Sequence, residues 1–520
     1  MNPSVHAAYV RIRKGADRIV VDGDAEFTLF AADPTAAPPD DAPRAGWAWD
    51  GERLTIRSDR FGFLPLFHHA DAEGIVVATS LFTIVRLVPA AAVIDEPALA
   101  VFLRLGFFLG EDTCFAPIRA LPPDAELVWS SATGLRVHAA GGYWMPRAAA
   151  CTREAAVRRF DEAVRWAVMR LAPHHGTWVL PLSGGRDSRH LLLALAAGGH
   201  KPDRCVSARH YPPKGDDDTR VAALLAHAVG VPHVVVGQRP DMLRAELRKN
   251  RATHLGVLEH GWFVAAADTF GRMATGVWDG IAGDVLSAGL FLDRQRLSLF
   301  ESDRLDTLAD VLLGDDSYLR LLLRRRWRRT FGRAAAVARV RAELARHRDA
   351  ANPVGSFFFW NRTRRAVALS PFALIRRRCF VIAPYLHPDV YGVLASLPAA
   401  MLLDHTFHTD TISRCYPEFA HLPYEEKSAR QAVPAALFRT GRRSLLRLAT
   451  DRAAGGFLRT EAAIALAAHA AVSPRRRPDV LGLLPHAAYL VQLGRLTVSA
   501  AGSSTVPTAH RGPALDATQI

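Results

Sequence analysis

A chain of 520 residues has room for two or three domains with sizeable cores. Its residues are 49% apolar, yet no run approaches the roughly 18 consecutive apolar residues of a membrane span, and the opening MNPSVHAAYVRIRKG lacks the layout of a secretory signal; a cytoplasmic protein without a membrane span is expected. Five scattered cysteines with no CxxC pair speak against a disulfide framework or a cysteine zinc site, and a net charge of +14 leaves an anionic partner open.

In chain order, residues 1–147 read as β-rich, with short segments at Ala45–Asp50, Arg53–Arg57 and Gly74–Ala78 separated by turn residues. A helical stretch from Thr152 (REAAVRRFDEAVRWAVMRL) leads into Thr177–Leu182, a short apolar strand. Then comes Leu182-Ser183-Gly184-Gly185-Arg186-Asp187-Ser188, followed by leucines at helical spacing up to Gly198-Gly199. A glycine turn between a strand and a helix N-terminus points N–H groups and the positive helix end at one spot, which suits a phosphate. The hydroxyls of Ser183 and Ser188 can donate to phosphate oxygens, and Asp187 beside an anion calls for a bridging Mg²⁺.

Two more strands, Arg204–Ser207 and His233–Val236, flank the helix Thr219–Val229, giving the βαβαβ rhythm of a doubly wound parallel sheet. Asp216-Asp217-Asp218 is read as helix capping, with a metal cluster as the alternative. Residues 300 to 350 are helical and rich in arginine. Sixty of the sixty-five basic residues are arginine, and much of the excess lies in Leu323–Arg329 (LRRRWRR), Arg376–Arg378 and Arg475–Arg477. A solvated face explains such runs, and so does a polyanion or carrier-protein partner. Residues 501–520 read as a disordered tail, and disorder is expected from just after Ser499.

The strand, SGGRDS and helix together resemble the pyrophosphate loop of the ATP pyrophosphatase superfamily, whose members split ATP into AMP and pyrophosphate. A second set of segments resembles the asparagine synthetases: Asp59–Phe67 (their DRxGxxPLY), Thr79–Phe82, Asp95–Ala100, and Gly110–Phe115 running on to Ile118–Pro123. The likeness covers roughly residues 45 to 430. It implies an α/β protein in two parts: a degenerate, glutaminase-like layered β-sandwich of the Ntn-hydrolase type over 1–147, and a doubly wound ATP-pyrophosphatase domain with a helical C-terminal part over 151–500.

The likeness also implies the chemistry. Leu182, Ser183, Gly184, Gly185, Arg186, Asp187, Ser188 and Gly280 would bind ATP and its pyrophosphate. Trp278–Gly289 is similar to the family's SGDGADELFGG loop, with Asp284 on its second aspartate, so Asp187 and Asp284 would share Mg²⁺. Ile281 and Val285 replace that loop's first aspartate and its glutamate. Lys427, one of five lysines, stands where the family has a transition-state lysine; an exposed surface lysine is the other reading. Asn2 replaces the nucleophilic cysteine, so no glutaminase activity is expected. Phe380, Ile382 and His387 replace a glutamate, an arginine and an aspartate at the substrate end, so the substrate differs from that of an asparagine synthetase.

The implied reaction is adenylation of a small-molecule or peptide carboxylate and its capture by an amine, as in β-lactam synthetases and lasso-peptide cyclases. A carrier protein or precursor peptide, or a second copy in a homodimer, would be its partners; nucleic acid is not expected. Ammonia-dependent asparagine synthesis, an RNA-modifying enzyme and a nucleotide-binding pseudo-enzyme scaffold are the alternatives.

Overall fold

The computed structural model describes residues 7–15, 18–31, 43–140, 142–212, 214–426, 431–451 and 456–503. Asn2 and Lys427 therefore lie outside the described residues. Ten strands form the N-terminal part: β1 (Tyr9–Lys14), β2 (Ile19–Gly23), β3 (Glu26–Phe30), β4 (Arg44–Trp49), β5 (Arg53–Arg57), β6 (Phe67–Ala70), β7 (Gly74–Ala78), β8 (Arg119–Ala120), β9 (Ala125–Ser130) and β10 (Gly134–Ala140). They make two five-stranded antiparallel sheets, ordered β2-β1-β7-β6-β8 and β10-β9-β5-β4-β3. In β9, residues alternate strictly between buried and half-buried, the period-2 pattern of a sheet with one face on the core. The buried faces, among them Val10, Ile12, Leu54, Ile56, Leu127 and Trp129, join one hydrophobic core.

Asp59 explains the turn Asp59–Leu64. Its carboxylate accepts the N–H groups of Phe61, Phe63 and Leu64 at 3.1, 3.1 and 2.9 Å, clasping the backbone that follows it. A cleft of about 600 Å³ opens beside this turn, lined by β3–β5 and by Leu386 and Pro388. Its rim arginine Arg57 is already paired with Glu126 at 2.8 Å, and none of the glycine-loop residues lines it.

The third sheet is parallel and begins after the helix Arg153–Leu171, which Thr152 caps by accepting the Ala155 N–H. Its strands are β11 (Trp178–Pro181), β12 (Arg204–Ala208), β13 (His233–Val236), β14 (Gly276–Trp278) and β15 (Phe380–Ile382), ordered β13-β12-β11-β14-β15. In order of appearance that is 3-2-1-4-5, so the winding reverses between β11 and β14. At such a switch point the loops leaving the two strand ends part in opposite directions and open a crevice. β14 is buried at all three positions, as a strand covered on both faces must be.

Two π-helical stretches, Phe359–Val367 and Ser370–Ile375, tie this sheet to the N-terminal part. From them Arg364, fully buried, donates to the carbonyl of Leu121 at 2.8 Å, Asn361 accepts the Gly110 N–H at 2.9 Å, and Arg365 donates to the carbonyl of Asp112 at 2.7 Å. A 27-residue helix, Arg477–Ser503, ends the described chain. It brings Tyr489 to 4.5 Å from Phe102 of the helix Glu96–Leu105. The expected disorder after Ser499 is thus corrected through Ser503, where the helix continues; residues 504–520 lie outside the described residues. Among the described residues no helix is long and apolar enough to cross a membrane.

Candidate functional site

Two loops meet at the switch point. The loop after β11 runs through Ser183–Arg186 into the helix Asp187–Ala197; the loop after β14 runs through Asp279–Ala282 into the short helix Gly283–Ser287. They approach closely because glycines face the carboxylate. A Cβ on Gly283 would stand 2.5 Å from Asp187 Cγ, and one on Gly280 3.3 Å from the Ser188 nitrogen. The Asp284 N–H donates to Asp187 Oδ2 at 2.7 Å, closing the contact. Ala282 between them holds φ +80°, a left-handed conformation that L residues disfavour.

The expected site residues divide by role. Leu182 belongs to the sheet: its N–H donates to Val206 at 2.9 Å and its side chain is buried in the core. The serine hydroxyls shape the loop from within. Ser183 N–H donates to Ser188 Oγ at 3.0 Å, Gly185 N–H to Ser183 Oγ at 3.2 Å, and the two hydroxyls lie 3.1 Å apart. Gly184 N–H donates to Asp218 Oδ1. The reading of Asp216–Asp218 holds in part: Asp216 is the N-cap residue, and Asp217 and Asp218 stand in the first turn, where they complement the helix dipole. Asp216 makes no side-chain cap, Asp217 takes Arg220 and the Glu426 N–H, and Asp218 reaches across to the glycine loop. No group of three or more metal-ligand side chains occurs among the described residues. The N–H groups of Arg186, Asp187 and Ser188 have no acceptor among the described residues, and they stand at the positive end of the helix.

The segment preceding Lys427 closes over this loop. Glu425 N–H donates to the Gly184 carbonyl at 3.0 Å, and a Cβ on Gly184 would meet the Glu425 side chain at 2.9 Å. Arg189 holds the same segment, donating to the carbonyls of Leu422 and Pro423 with its guanidinium 3.8 Å from the Tyr424 ring centre.

Behind Asp187 runs a buried polar chain that sequence reasoning missed. His190 Nε2 is 3.1 Å from Asp161 Oδ1, His190 Nδ1 is 3.1 Å from His408 Nε2, and His408 Nδ1 is 2.7 Å from Ser287 Oγ and 3.4 Å from Asp187 Oδ1. Burial pushes the His408 imidazole down to about 3 and lowers that of His190. Asp161, despite burial pulling its carboxyl upward, is held down to about 2 by the His190 hydrogen bond and charge.

Asp161 accepts His190 Nε2–H, the two imidazoles share a hydrogen bond, and the Ser287 hydroxyl donates to the Gly283 carbonyl at 2.6 Å while its oxygen lies against His408 Nδ1. Asp187 Oδ1, beside His408, is buried without a hydrogen-bond partner. The one signal of this chain in the sequence was Asp161, an acid on the buried stripe of its helix beside Val157, Phe160 and Val164.

The carboxylates answer to this setting. Burial pushes Asp187 up to about 7 against the Asp284 N–H, and Asp279 to about 6. Asp284 is raised to about 7 by surrounding protein and by the charge of Asp187, although its side chain reaches solvent at the mouth of the crevice. A buried acceptor oxygen without a hydrogen-bond donor, neighbouring a second carboxylate, is a donor set that fits a hard divalent cation such as Mg²⁺.

No family model matches the chain, and no curated protein is significantly similar to it. Fold and site define a mixed α/β protein with two antiparallel sheets and a parallel sheet whose switch point carries a glycine loop and an aspartate pair.

Proposed function

We propose that the chain is an ATP-dependent, AMP-forming carbon–nitrogen ligase of the asparagine synthetase-like kind: it adenylates a carboxylate and passes the acyl group to an amine, without glutaminase activity. The observation that carries this reading is the convergence, at one switch point, of the open N–H groups of Arg186, Asp187 and Ser188 with the carboxylates of Asp187 and Asp284. Those N–H groups and the helix end bind the phosphate chain and hold it as the leaving group. Asp218 and the two serines keep the loop in shape for it. Asp187 and Asp284 would hold Mg²⁺, which when bound neutralises phosphate charge. The Asp284 N–H occupies Asp187 Oδ2 and so leaves Oδ1 for the cation, with the buried His408 ring behind it.

Ser183, Gly184 and Gly185 bind ATP in this reading by letting its backbone approach, and Gly280 by keeping the facing loop clear. Glu425 is anchored on the loop and Glu426 on Asp217; in this reading Lys427, which lies outside the described residues, supplies the charge that stabilises the transition state of amine attack. The two-domain division at 147 and 151 and a carrier-protein or precursor-peptide partner belong to the same proposal.

The test supplies ATP, Mg²⁺ and panels of carboxylic acids and peptides, and resolves the nucleotide products. AMP and pyrophosphate in equal amounts are expected, with ¹⁸O from the carboxylate appearing in AMP. ADP as product overturns the reading. Asp187→Asn and Asp284→Asn should each lower turnover about a hundredfold or more while leaving the fold intact, since both side chains lie on crevice loops.

A further inference from the structure

The arginine run Leu323–Arg329 does not spread over a convex face. Its Leu323, Arg325, Arg328 and Arg329 line a cleft of about 460 Å³, together with Arg104, Arg320 and Arg333. The short helix Arg325–Thr330 is pinned by Trp327, whose ring lies 4.4 Å from Phe457 and 5.4 Å from Phe331. Paired backbone hydrogen bonds, Arg324 N–H to Phe457 and Arg459 N–H to Leu322, fix the segment just before it. With Trp327 committed to the aromatic cluster, Arg325, Arg328 and Arg329, spaced i, i+3, i+4, share the face that lines the cleft.

The charges there are not balanced. Asp316 takes Arg104 at 2.8 Å, Asp310 takes Arg333 at 2.7 Å, and Asp315 exerts its field on Arg320 without forming an ion pair. Among the described residues Arg325, Arg328 and Arg329 have no acidic partner, and the Arg328 Nε is buried without a hydrogen-bond acceptor. Like charges three and four residues apart oppose a helix, and Arg325 and Arg326 stand at its positive end, where the dipole repels them. Arg325, Arg328 and Arg329 all line this one cleft, Arg325 and Arg329 with part of their surface open to solvent.

We propose that this cleft is a binding site for a linear polyphosphate, either a free inorganic chain or the phosphate tail of a nucleotide. Guanidiniums recognise phosphate oxygens through paired N–H donors, and a triphosphate of about −4 charge supplies acceptors to several at once. The volume suits a small ligand, at the lower end of the roughly 300–1,000 Å³ of such sites. The site shares no residue with the crevice at the parallel sheet, so it is a second anion site rather than part of the first.

The experiment maps arginine modification by phenylglyoxal on the full-length protein in EDTA and about 0.15 M NaCl, a concentration that screens diffuse surface attraction. Tripolyphosphate should slow modification of Arg325, Arg328 and Arg329 at least fivefold while leaving the exposed Arg341 unchanged. AMP should give no protection. In the ATP arm, protection equal to that by tripolyphosphate means the phosphate chain alone is read, and stronger protection makes a nucleotide the source; both sustain the proposal. In calorimetric titration with tripolyphosphate, Arg325→Gln/Arg328→Gln/Arg329→Gln should lose one binding phase while keeping wild-type circular dichroism. The proposal falls if tripolyphosphate gives no protection, if Arg341 is protected equally, or if AMP protects as well as tripolyphosphate. It falls also if a single-stranded RNA protects far better than tripolyphosphate, which would make the cleft part of a nucleic-acid face, or if the triple variant keeps both phases.

Discussion

Asp187 shows at the scale of one residue how a site can be built against stability. Its carboxyl is raised from 3.8 to about 7 by burial, so the fold favours its protonated form. The associated stability is fully present below the unfolded value near 3.8 and is lost as pH rises through about 7. Metal-free protein should therefore lose stability over that window, at up to about 1.4 kcal/mol per pH unit from this group. Thermal melts in EDTA from about pH 5 to about pH 8 check it, because Asp187→Asn should gain on the wild type as pH rises. Parallel melting curves for the two proteins would contradict this account of Asp187. Added Mg²⁺ should narrow the gap, since a cation compensates the ionised carboxylate in the wild type alone.

At the scale of elements, the facing loops depend on a missing side chain. Gly283→Ala would put a Cβ 2.5 Å from Asp187 Cγ, and the overpacking should cost about 1–3 kcal/mol and reduce ATP turnover at least tenfold by parting the loops. Ala282→Gly is the control. Its left-handed φ of +80° suits glycine, so stability should stay within about 1 kcal/mol of the wild type. Denaturant unfolding and turnover of the two variants side by side measure both; equal behaviour would mean the loops are not held by this approach.

Elements were also where the sequence was most legible. β5, β7 and β13 fall on the expected residues, and β11 and β12 lie within a residue of them, because buried strands are short apolar runs between turns. The glycine loop was legible for the same local reason. What carries the site's electrostatics was not. His408 meets His190 across 218 positions of sequence, and Asp218 finds Gly184 across 34, pairings that only tertiary packing sets. The serine hydroxyls carry a role that the sequence did not show, since each accepts an N–H of its own loop. The π-helical stretches had no signal at all, since their i→i+5 bonding follows from what Asn361 and Arg364 must reach.

For the whole molecule, the two parts hold each other through buried polar groups. Arg364, fully buried, serves the Leu121 carbonyl and lies 3.5 Å from Glu111. Arg364→Met would strand those acceptors, at a cost of about 3–5 kcal/mol. Differential scanning calorimetry should show one unfolding transition for the wild type and one, at lower temperature, for the variant. Two separated transitions in the wild type would show that the parts unfold independently and that these buried contacts do not couple them.

Tyr489 sets a schedule for synthesis. Phe102, made early, stacks on Phe108 and packs at a tilt against a tyrosine from the final described helix, which leaves the ribosome nearly four hundred residues later. At about 5–20 residues per second that is a wait on the order of tens of seconds. Through that interval the helix Glu96–Leu105 has an apolar flank uncovered. A nascent chain arrested before Arg477 should therefore engage chaperones that a completed chain no longer needs, and shortening the C-terminus into this helix should harm yield more than activity per folded molecule.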